Sequence, residues 1–379
     1  MSECKYSKKC SGCQLQNLSY AEQLHLKQVK VINLIGRLCH VEEIIGMENP
    51  YSYRNKSQTI FGVKRGKTIS GIYQSTTKGI VEVDSCMIEN EDANKICETI
   101  KKLLSSFKIK PYDLKTQTGF LRHVLVRKGF NTGELLVVLV TTKGVFKSSR
   151  SFVNELVRRH PEITSVVWNI NTSNTPLLLG EKCEVLYGKG YIIEKICGLS
   201  FRISPRSFFQ VNTTQAEILY NKAKEFASLT GKETVIDAYC GTGTIGLSMA
   251  SLAKRVAGVE LNKDAVKDAK ENARINKIEN AEFYANDAGK FMLNLAENNE
   301  KIDVVVTDPP RAGCSIAFLK SVQRLSPKKI VYISCNPETL ARDLRFLTKN
   351  DYRITMAQPV DLFPYTNHVE VIVALVKNV

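Results

Sequence analysis

The sequence predicts two domains: an open α/β domain with a doubly wound, mainly parallel sheet in the second half, and an α+β domain ahead of it. Three observations carry this. From Thr234 onward, short β-branched runs alternate with amphipathic stretches at the spacing of strand–helix units. Between Tyr53 and Val83 the chain breaks instead at Gly62, Gly66, Gly71 and Gly79, the punctuation of short strands and hairpins. A length of 379 residues also exceeds what one hydrophobic core usually organises.

Residues 14–38 read as a helix, with Leu24, Val31, Leu34, Ile35 and Leu38 at helical intervals and Gly36 weakening the last turn. Short strands follow to Val83, then a helix over 89–106. Strand signals at 123–128 and 134–141 precede a helix near 149–159, and two further strands fall near 165–170 and 184–187. In the second half, strands are expected at 234–238, 255–259, 282–285, 303–307, 329–333, 352–357 and 369–376. Helices are expected after Gly243 to Ala253, over 263–275 and over 338–349. The expected division is a cysteine-bearing segment within 1–90, a central α+β domain over 50–204 and the doubly wound domain over 205–379.

Hydrophobic content of 43% and charged content of 24% are those of an ordinary globular protein. The longest apolar run, Leu135–Val140, is far too short to span a bilayer, so no membrane partner is expected. The first residues are polar and lysine-rich with no apolar signal core, which points to the cytoplasm. No feature indicates an obligate protein partner. The net charge of +15 favours a polyanion, and residues 1–205 carry 30 Lys and Arg against 18 Asp and Glu, so most of the surplus lies in the first half. That half is expected to grip an RNA backbone, with Arg54, Lys56, Arg122 and Arg127 on strand-like basic stretches as candidates.

Eleven cysteines in a cytoplasmic chain do not suggest a disulfide framework. Four of them suggest a metal site: Cys4, Cys10 and Cys13 near the start, the last two separated by two residues, and Cys86 after the strand-like Gly79–Val83. Two thiols at that spacing can reach one metal centre, and the pattern suits zinc or an iron–sulfur cluster equally. The other seven are scattered, and Cys240 and Cys314 read as small loop residues.

Every loop of chemical interest in the second half falls at the C-terminal end of an expected strand, where open α/β sheets bind ligands. Asp237-Ala238-Tyr239-Cys240-Gly241-Thr242-Gly243-Thr244 lacks the third glycine of a dinucleotide fingerprint and the lysine of a P-loop. Its glycines let backbone approach a ligand whose carboxylate would suit the following helix N-terminus. Glu260, at the tip of the next strand, sits where an acid bonds ribose hydroxyls, and with Asp287 it outlines an adenosine pocket. Asp308-Pro309-Pro310-Arg311 follows the fourth strand. Many amine methyltransferases place an aromatic where this chain has Arg311, so an amine target loses its stacking partner. Arg311 suits a carbonyl oxygen or a phosphate instead.

Cys335, at the tip of a central strand beside this pocket, is oddly placed for a core thiol. Uracil C5 is too weak a nucleophile to attack a methyl sulfonium unaided. A thiolate added to C6 creates an enolate whose nucleophilic carbon is C5, and a base must then remove the C5 proton. Glu370, opening the last strand, is the candidate base, and nearby His368 reads as a packed or orienting residue.

Taken together, Phe208-Phe209-Gln210-Val211-Asn212, the Asp237–Gly243 loop, Asp308-Pro309-Pro310-Arg311, Ser334-Cys335-Asn336-Pro337 and the Asp361–Glu370 stretch resemble the RNA uracil-5-methyltransferases. The resemblance is dense over 200–379. It implies a Rossmann-like methyltransferase domain using S-adenosylmethionine, with an α+β RNA-binding domain before it. It implies Cys335 as nucleophile and Glu370 as base, with donor contacts at Gln210, Tyr239, Glu260 and Asp308. Gly241, Gly243, Thr244 and Asp287 join them in the donor pocket. In that family the cysteine pattern holds a 4Fe-4S cluster, which favours iron–sulfur over zinc at Cys4, Cys10, Cys13 and Cys86. The family's uridine lies in transfer RNA or large-subunit ribosomal RNA. Many ribosomal members carry a small β-barrel ahead of the cysteines, whereas this sequence starts at them, so recognition is expected to rest on the central domain. The transfer-RNA branch also lacks the barrel but usually lacks the cysteines, and their presence favours 23S ribosomal RNA.

Overall fold

A computed structural model describes residues 4–74, 79–173, 179–349 and 351–378. The chain forms two compact units, Met1–Asn17 with Asn49–Lys195 and Arg202–Arg206, and Leu18–Glu48 with Ile196–Phe201 and Ser207–Val379.

The first unit is built on strands β1 (Lys56–Lys64), β2 (Lys67–Tyr73), β3 (Ile80–Glu82), β4 (Leu121–Lys128), β5 (Leu135–Thr141), β6 (Ile163–Ile170) and β7 (Lys182–Gly188). They form one sheet in the order β3-β2-β1-β4-β5-β6-β7. Neighbours are antiparallel except β5 and β6, which run parallel. The sheet is thus not purely hairpins, because a helix makes the crossover that a parallel pair needs. With α1 defined as Tyr20–Ile35 and α2 as Glu91–Ser106, this crossover helix is α3 (Ser149–Arg159). Ile96, Ile100, Leu103 and Leu104 of α2 and Phe152 and Leu156 of α3 share a core with Phe61, Val124, Val126, Val137 and Leu139 of the sheet. Strand β5 is buried at every position, which fits its unbroken apolar run. The amino end is fastened to the β3 exit, where Tyr6 Oη accepts from the Asp84 N–H at 2.9 Å. A hairpin absent from the sequence expectations, β8 (Ile192–Ile196) and β9 (Leu199–Ile203), follows β7.

The second unit carries the doubly wound sheet. Its strands are β10 (Thr234–Ala238), β11 (Arg255–Glu260), β12 (Ala281–Ala285), β13 (Val304–Thr307), β14 (Lys329–Ser334), β15 (Tyr352–Val360) and β16 (Glu370–Lys377). The order is β12-β11-β10-β13-β14-β16-β15, parallel through β14, with β16 antiparallel to both its neighbours. Helices α4 (Thr213–Ala227), α5 (Thr244–Met249), α6 (Lys263–Ile275), α7 (Ala288–Glu297), α8 (Ile316–Leu325) and α9 (Pro337–Lys349) join them. Of these, α4, α7 and α8 were not anticipated.

Helix α1 belongs to this second unit, not to the amino-terminal segment in which the sequence division put it. It is also shorter than the expected 14–38. Ser19 caps it, accepting from the Glu22 N–H, while the Glu22 carboxylate accepts from the Ser19 N–H, so the helix begins at Tyr20. Val31 and Ile35 are fully buried in one cluster with Leu340, Leu344 and Leu347 of α9, each contributing roughly 1.5–3 kcal/mol by leaving water. The following chain continues along the sheet edge: Glu42 N donates to Ala357 O at 2.9 Å and Ile45 N to Pro359 O at 3.0 Å. Strand β15 therefore has no bare edge at that end.

Candidate active site

All the candidate residues of the second half lie at one edge of the β12–β15 sheet. The ends of β10, β11, β12, β13 and β14 point there, and β16, being antiparallel, begins there. After β10 the chain turns sharply at Tyr239, whose φ of 63° lies in the left-handed region. Gly243 caps α5 at φ 79°, and a side chain there would meet Phe283 Cζ at 2.8 Å, so only glycine fits. The Asp237 carboxylate accepts from Gly246 N at 2.8 Å and leaves its second oxygen buried without a partner. Burial pushes its carboxyl up to about 7.

Glu260, at the tip of β11, is tied back to this turn. One oxygen accepts from Gly241 N at 3.2 Å and the other from Asn262 N at 2.8 Å. Asp287 caps α7, accepting from Lys290 N at 2.9 Å. Thr244 opens α5 and is buried, as is Gln210 just before α4, whereas neighbouring Phe208 is exposed. The glycine turn, Glu260, Asp287 and Asp308 therefore sit on adjacent strand ends, with a buried helix N-terminus among them. That donor set fits a nucleoside bearing an amino-acid tail.

Across the same edge, Ser334 of β14 pairs with Val371 of β16. Cys335 and Glu370 are the next residues along that ladder. Cys335 is half-buried, and its thiol is pushed up to about 11, first by burial, then by Glu370 and Asp308, with Arg311 opposing. Glu370 is almost fully buried, and one carboxyl oxygen has no hydrogen-bond partner. Burial and then Asp308 hold its carboxyl well above the usual carboxylate range. Asp308 is itself raised to about 7 by burial.

Arg311 donates from Nη2 to the His368 ring at 2.9 Å, so His368 orients the guanidinium. Helix α9 holds the Arg311 loop from below. Asn336 Nδ2 and Thr339 Oγ1 donate to Arg311 O at 3.0 and 3.2 Å, and Arg342 Nη2 donates to Ala312 O at 3.0 Å. The buried Asp343 accepts from Cys314 N at 2.8 Å and Tyr332 Oη at 2.6 Å. Thr339, Arg342 and Asp343 of α9 were missed in the sequence, where they read as ordinary polar positions of an amphipathic helix. Cys240 and Cys314 are buried within their loops, as expected of small packing residues.

In the first unit, Cys4, Cys10, Cys13 and Cys86 line one cavity of about 310 Å³ together with Arg54, Lys56 and Glu89. All four are free thiols. Burial pushes Cys13 up to about 11 and Cys86 to about 12. The sulfurs share the cavity but are not drawn into a ligand set. Among the described residues, no group of three or more His, Cys, Asp or Glu is arranged to hold a metal ion. The four proposed RNA contacts fare worse. Arg127 is 5% exposed, and Arg54 and Lys56 line the cysteine cavity. Arg122 stacks on Tyr112 and donates to Asn171 O at 3.1 Å. Arg127 is buried and the other three are half-buried, where the sequence alone suggested surface. Among the described residues no helix is long and apolar enough to cross a membrane.

A family model described as tRNA (Uracil-5-)-methyltransferase matches residues 19–378. An uncharacterized RNA methyltransferase of Clostridium tetani is 44% identical over 376 residues, covering 98% of this chain and 82% of its own length. One from Halalkalibacterium halodurans is 43% identical, over 99% of this chain and 83% of that protein. Among solved structures, the Pyrococcus abyssi tRNA (uracil-54, C5)-methyltransferase, in complex with S-adenosyl-L-homocysteine, superposes with a TM-score of 0.81. It is 31% identical, covering 97% of this chain and 86% of that one. The glycine turn, the acids on neighbouring strand ends and the thiol beside them are thus set in a sheet that relatives share along nearly the whole chain. The protein belongs to the tRNA (uracil-5-)-methyltransferase family of S-adenosylmethionine-dependent RNA methyltransferases.

Proposed function

We propose that this enzyme methylates C5 of a uridine in RNA through a covalent adduct of Cys335 with uracil C6, and that Glu370 removes the C5 proton. The observation that carries this reading is the meeting of a half-exposed thiol and a buried carboxyl with an unpartnered oxygen across one strand pair. The Cys335 thiolate adds to C6, and the C5–C6 π pair moves into an enolate on O4. C5 takes the methyl group from the sulfonium, releasing S-adenosylhomocysteine. Glu370 then accepts the C5 proton, the C5–C6 double bond re-forms, and the thiolate leaves. Arg311, steered by His368, faces the developing charge on O4 or a flanking phosphate. A sulfonium cation beside Asp308 lowers both neighbouring carboxyls, so donor binding favours the carboxylate that Glu370 needs as a base.

Donor contacts in this reading are Gln210, Tyr239, Glu260 and Asp308, supplemented by Gly241, Gly243, Thr244 and Asp287. The cysteine cavity matches a 4Fe-4S cluster in donor type and number, with Cys4, Cys10, Cys13 and Cys86 as ligands. Such a cluster would supply a covalent tie between the amino end and the loop after β3. The cysteine set favours a 23S ribosomal RNA target. A transfer-RNA uridine is the second reading, favoured by the likeness to the Pyrococcus abyssi enzyme.

The test is a pair of transcripts carrying 5-fluorouridine, one from large-subunit ribosomal RNA and one transfer RNA. Fluorine at C5 cannot leave as a proton does, so the methylated adduct persists on a denaturing gel. The expected result is a donor-dependent adduct on the ribosomal transcript that Cys335→Ala abolishes. An adduct on transfer RNA alone supports the second reading, and none on either overturns the mechanism.

A further inference from the structure

Helix α1 has a buried face that its sequence does not advertise. Gln23, Lys27, Val31 and Ile35 lie one turn apart and are all buried, yet the first two are polar. Lys27 Nζ is 2.7 Å from Asp361 Oδ1, with both side chains out of solvent at 2% and 0% exposure. The Asp361 carboxylate also accepts from Tyr20 Oη at 3.0 Å and Phe363 N at 3.2 Å. Lys27 Nζ donates a second bond to Phe363 O at 3.0 Å, and Gln23 Oε1 accepts from Tyr365 N at 2.8 Å. Besides Gln23 Nε2 donating to Leu18 O and Tyr20 Oη accepting from Met47 N, these polar groups of α1 bond to the segment between β15 and β16, whose last residue precedes Glu370.

That segment is irregular, with Tyr365 at φ 68°, so strand hydrogen bonds do not fix it along its length. Phe363 O is also the acceptor for Thr366 Oγ1 at 2.8 Å, and Thr366 Oγ1 accepts from His368 N at 3.3 Å. A continuous run of hydrogen bonds thus leads from Lys27 to His368, two residues from Glu370. Burying a lysine and an aspartate merely to join a helix to a loop is a poor source of stability, since apolar residues of similar size serve as well or better. A directional grip is what the pair offers and apolar packing does not.

We propose that Lys27 and Asp361 are positioning residues for the proton-removal step: through Phe363 and Thr366 they fix the loop that sets Glu370 and His368 at the substrate. This rests on the reading of Glu370 as the base. Formation of the Cys335 adduct and methyl transfer do not need the base. Loosening the loop therefore slows elimination most, while the earlier steps, which it reaches only through His368 and Arg311, slow less. A merely structural pair would, when lost, lower all steps together or none.

The test replaces the pair with a neutral one, Lys27→Met with Asp361→Asn, so that no buried charge is left alone. Single-turnover methyl transfer to RNA is followed with labelled donor, beside Glu370→Gln. The expected outcome is methyl transfer within about threefold of the parent, release slowed on the order of tenfold or more, and a methylated protein–RNA species that accumulates. Tyr20→Phe, which removes only one partner of Asp361, should show the same split more weakly and decides the matter if the double variant does not fold. Release at the parental rate in these variants, while Glu370→Gln accumulates adduct, overturns the proposal. Normal release by Glu370→Gln itself overturns the base assignment, and the proposal with it.

Discussion

Cys335 and Glu370 stand one residue beyond the Ser334–Val371 pair of the antiparallel β14–β16 ladder. In this α/β sheet β16 is reversed, and the reversal is what brings the start of one strand beside the end of another. A parallel strand in that place would have sent its first residue to the opposite edge. Thiol and carboxyl are therefore held by backbone pairing, without a hydrogen bond between the side chains having to do it. Glu370 raises the proton affinity of Cys335, and Asp308 adds to that of both.

The two groups should fail differently. Cys335→Ala should bind RNA and donor yet show no adduct and a loss of methylation on the order of a thousandfold or more. Glu370→Gln should still form the adduct and take the methyl group, then stall before release. Denaturing electrophoresis with labelled donor reads the difference. Near-normal turnover in Glu370→Gln, with no trapped species, would mark the residue as a buried strand-end carboxylate and nothing more.

Asp308 should cost stability at neutral pH. Its folded-state carboxyl lies at about 7, above an unfolded value near 3.9. A raised acid favours the folded state below its unfolded pKa, and that contribution disappears as pH rises through about 7. The loss is at most about 4 kcal/mol and smaller in so far as solvent reaches the group. Asp308→Asn, which cannot ionise, should therefore melt higher than the parent at pH 8 and show a flatter melting profile from pH 4 to 8. It should also lose donor affinity, since the negative charge beside the sulfonium is gone. A parallel pair of melting profiles would show that Asp308 is ionised at no such cost.

How much of this was legible in the sequence depends on what each signal measured. The strand–helix alternation after Thr234 reported real strands, because parallel strands buried on both faces are short β-branched runs between turns. Its register also located Glu260, Asp308 and Cys335 at strand ends. Helix α7 was overlooked although Asp287 is its cap; reading Asp287 only as a ligand candidate hid the more local role of an N-cap. Placing α1 needed tertiary information. Gln23 and Lys27 look like surface residues, and only the distant Asp361 and Tyr365 make their burial affordable. Arg127 misled for the complementary reason: charge suggests exposure, while its place on β4, the central strand of its sheet, buries it.

The RNA contact is accordingly expected on cations that are exposed. Lys5, Lys8, Lys9 and Lys64 surround an open depression of about 790 Å³ in the first unit. Replacing Lys8, Lys9 and Lys64 by Gln should weaken RNA binding across sequences and reduce the slope of log affinity against log salt by about 2 to 3, because each phosphate contact releases a counterion. Donor affinity, measured by calorimetry without RNA, should stay within about twofold. An unchanged salt slope would exclude this face as the main RNA contact.

The cysteine cavity offers the last prediction. Cys10 and Cys13 come from one turn, where Gly12 N already donates to Cys10 Sγ at 3.4 Å, while Cys86 arrives from the loop after β3. Backbone N–H groups directed at a sulfur, and cations such as Arg54 and Lys56 in the cavity wall, suit a centre carrying net negative charge on its sulfurs. Four thiols are also the donor set of a zinc site, so colour and sulfide decide between the two. Protein purified without oxygen should be brown and contain iron and sulfide in nearly equal amounts, about four of each per chain. Cys13→Ser and Cys86→Ser should each lose both, and proteolysis should then cut the segment before Cys13 faster, because Tyr6 and Lys5 on Asp84 are its remaining side-chain ties to the loop after β3. Stoichiometric zinc without sulfide would instead assign the cavity to a single metal ion. If the anaerobic protein binds neither metal, the four thiols are a packing feature, and Cys13→Ser should leave the proteolysis rate unchanged.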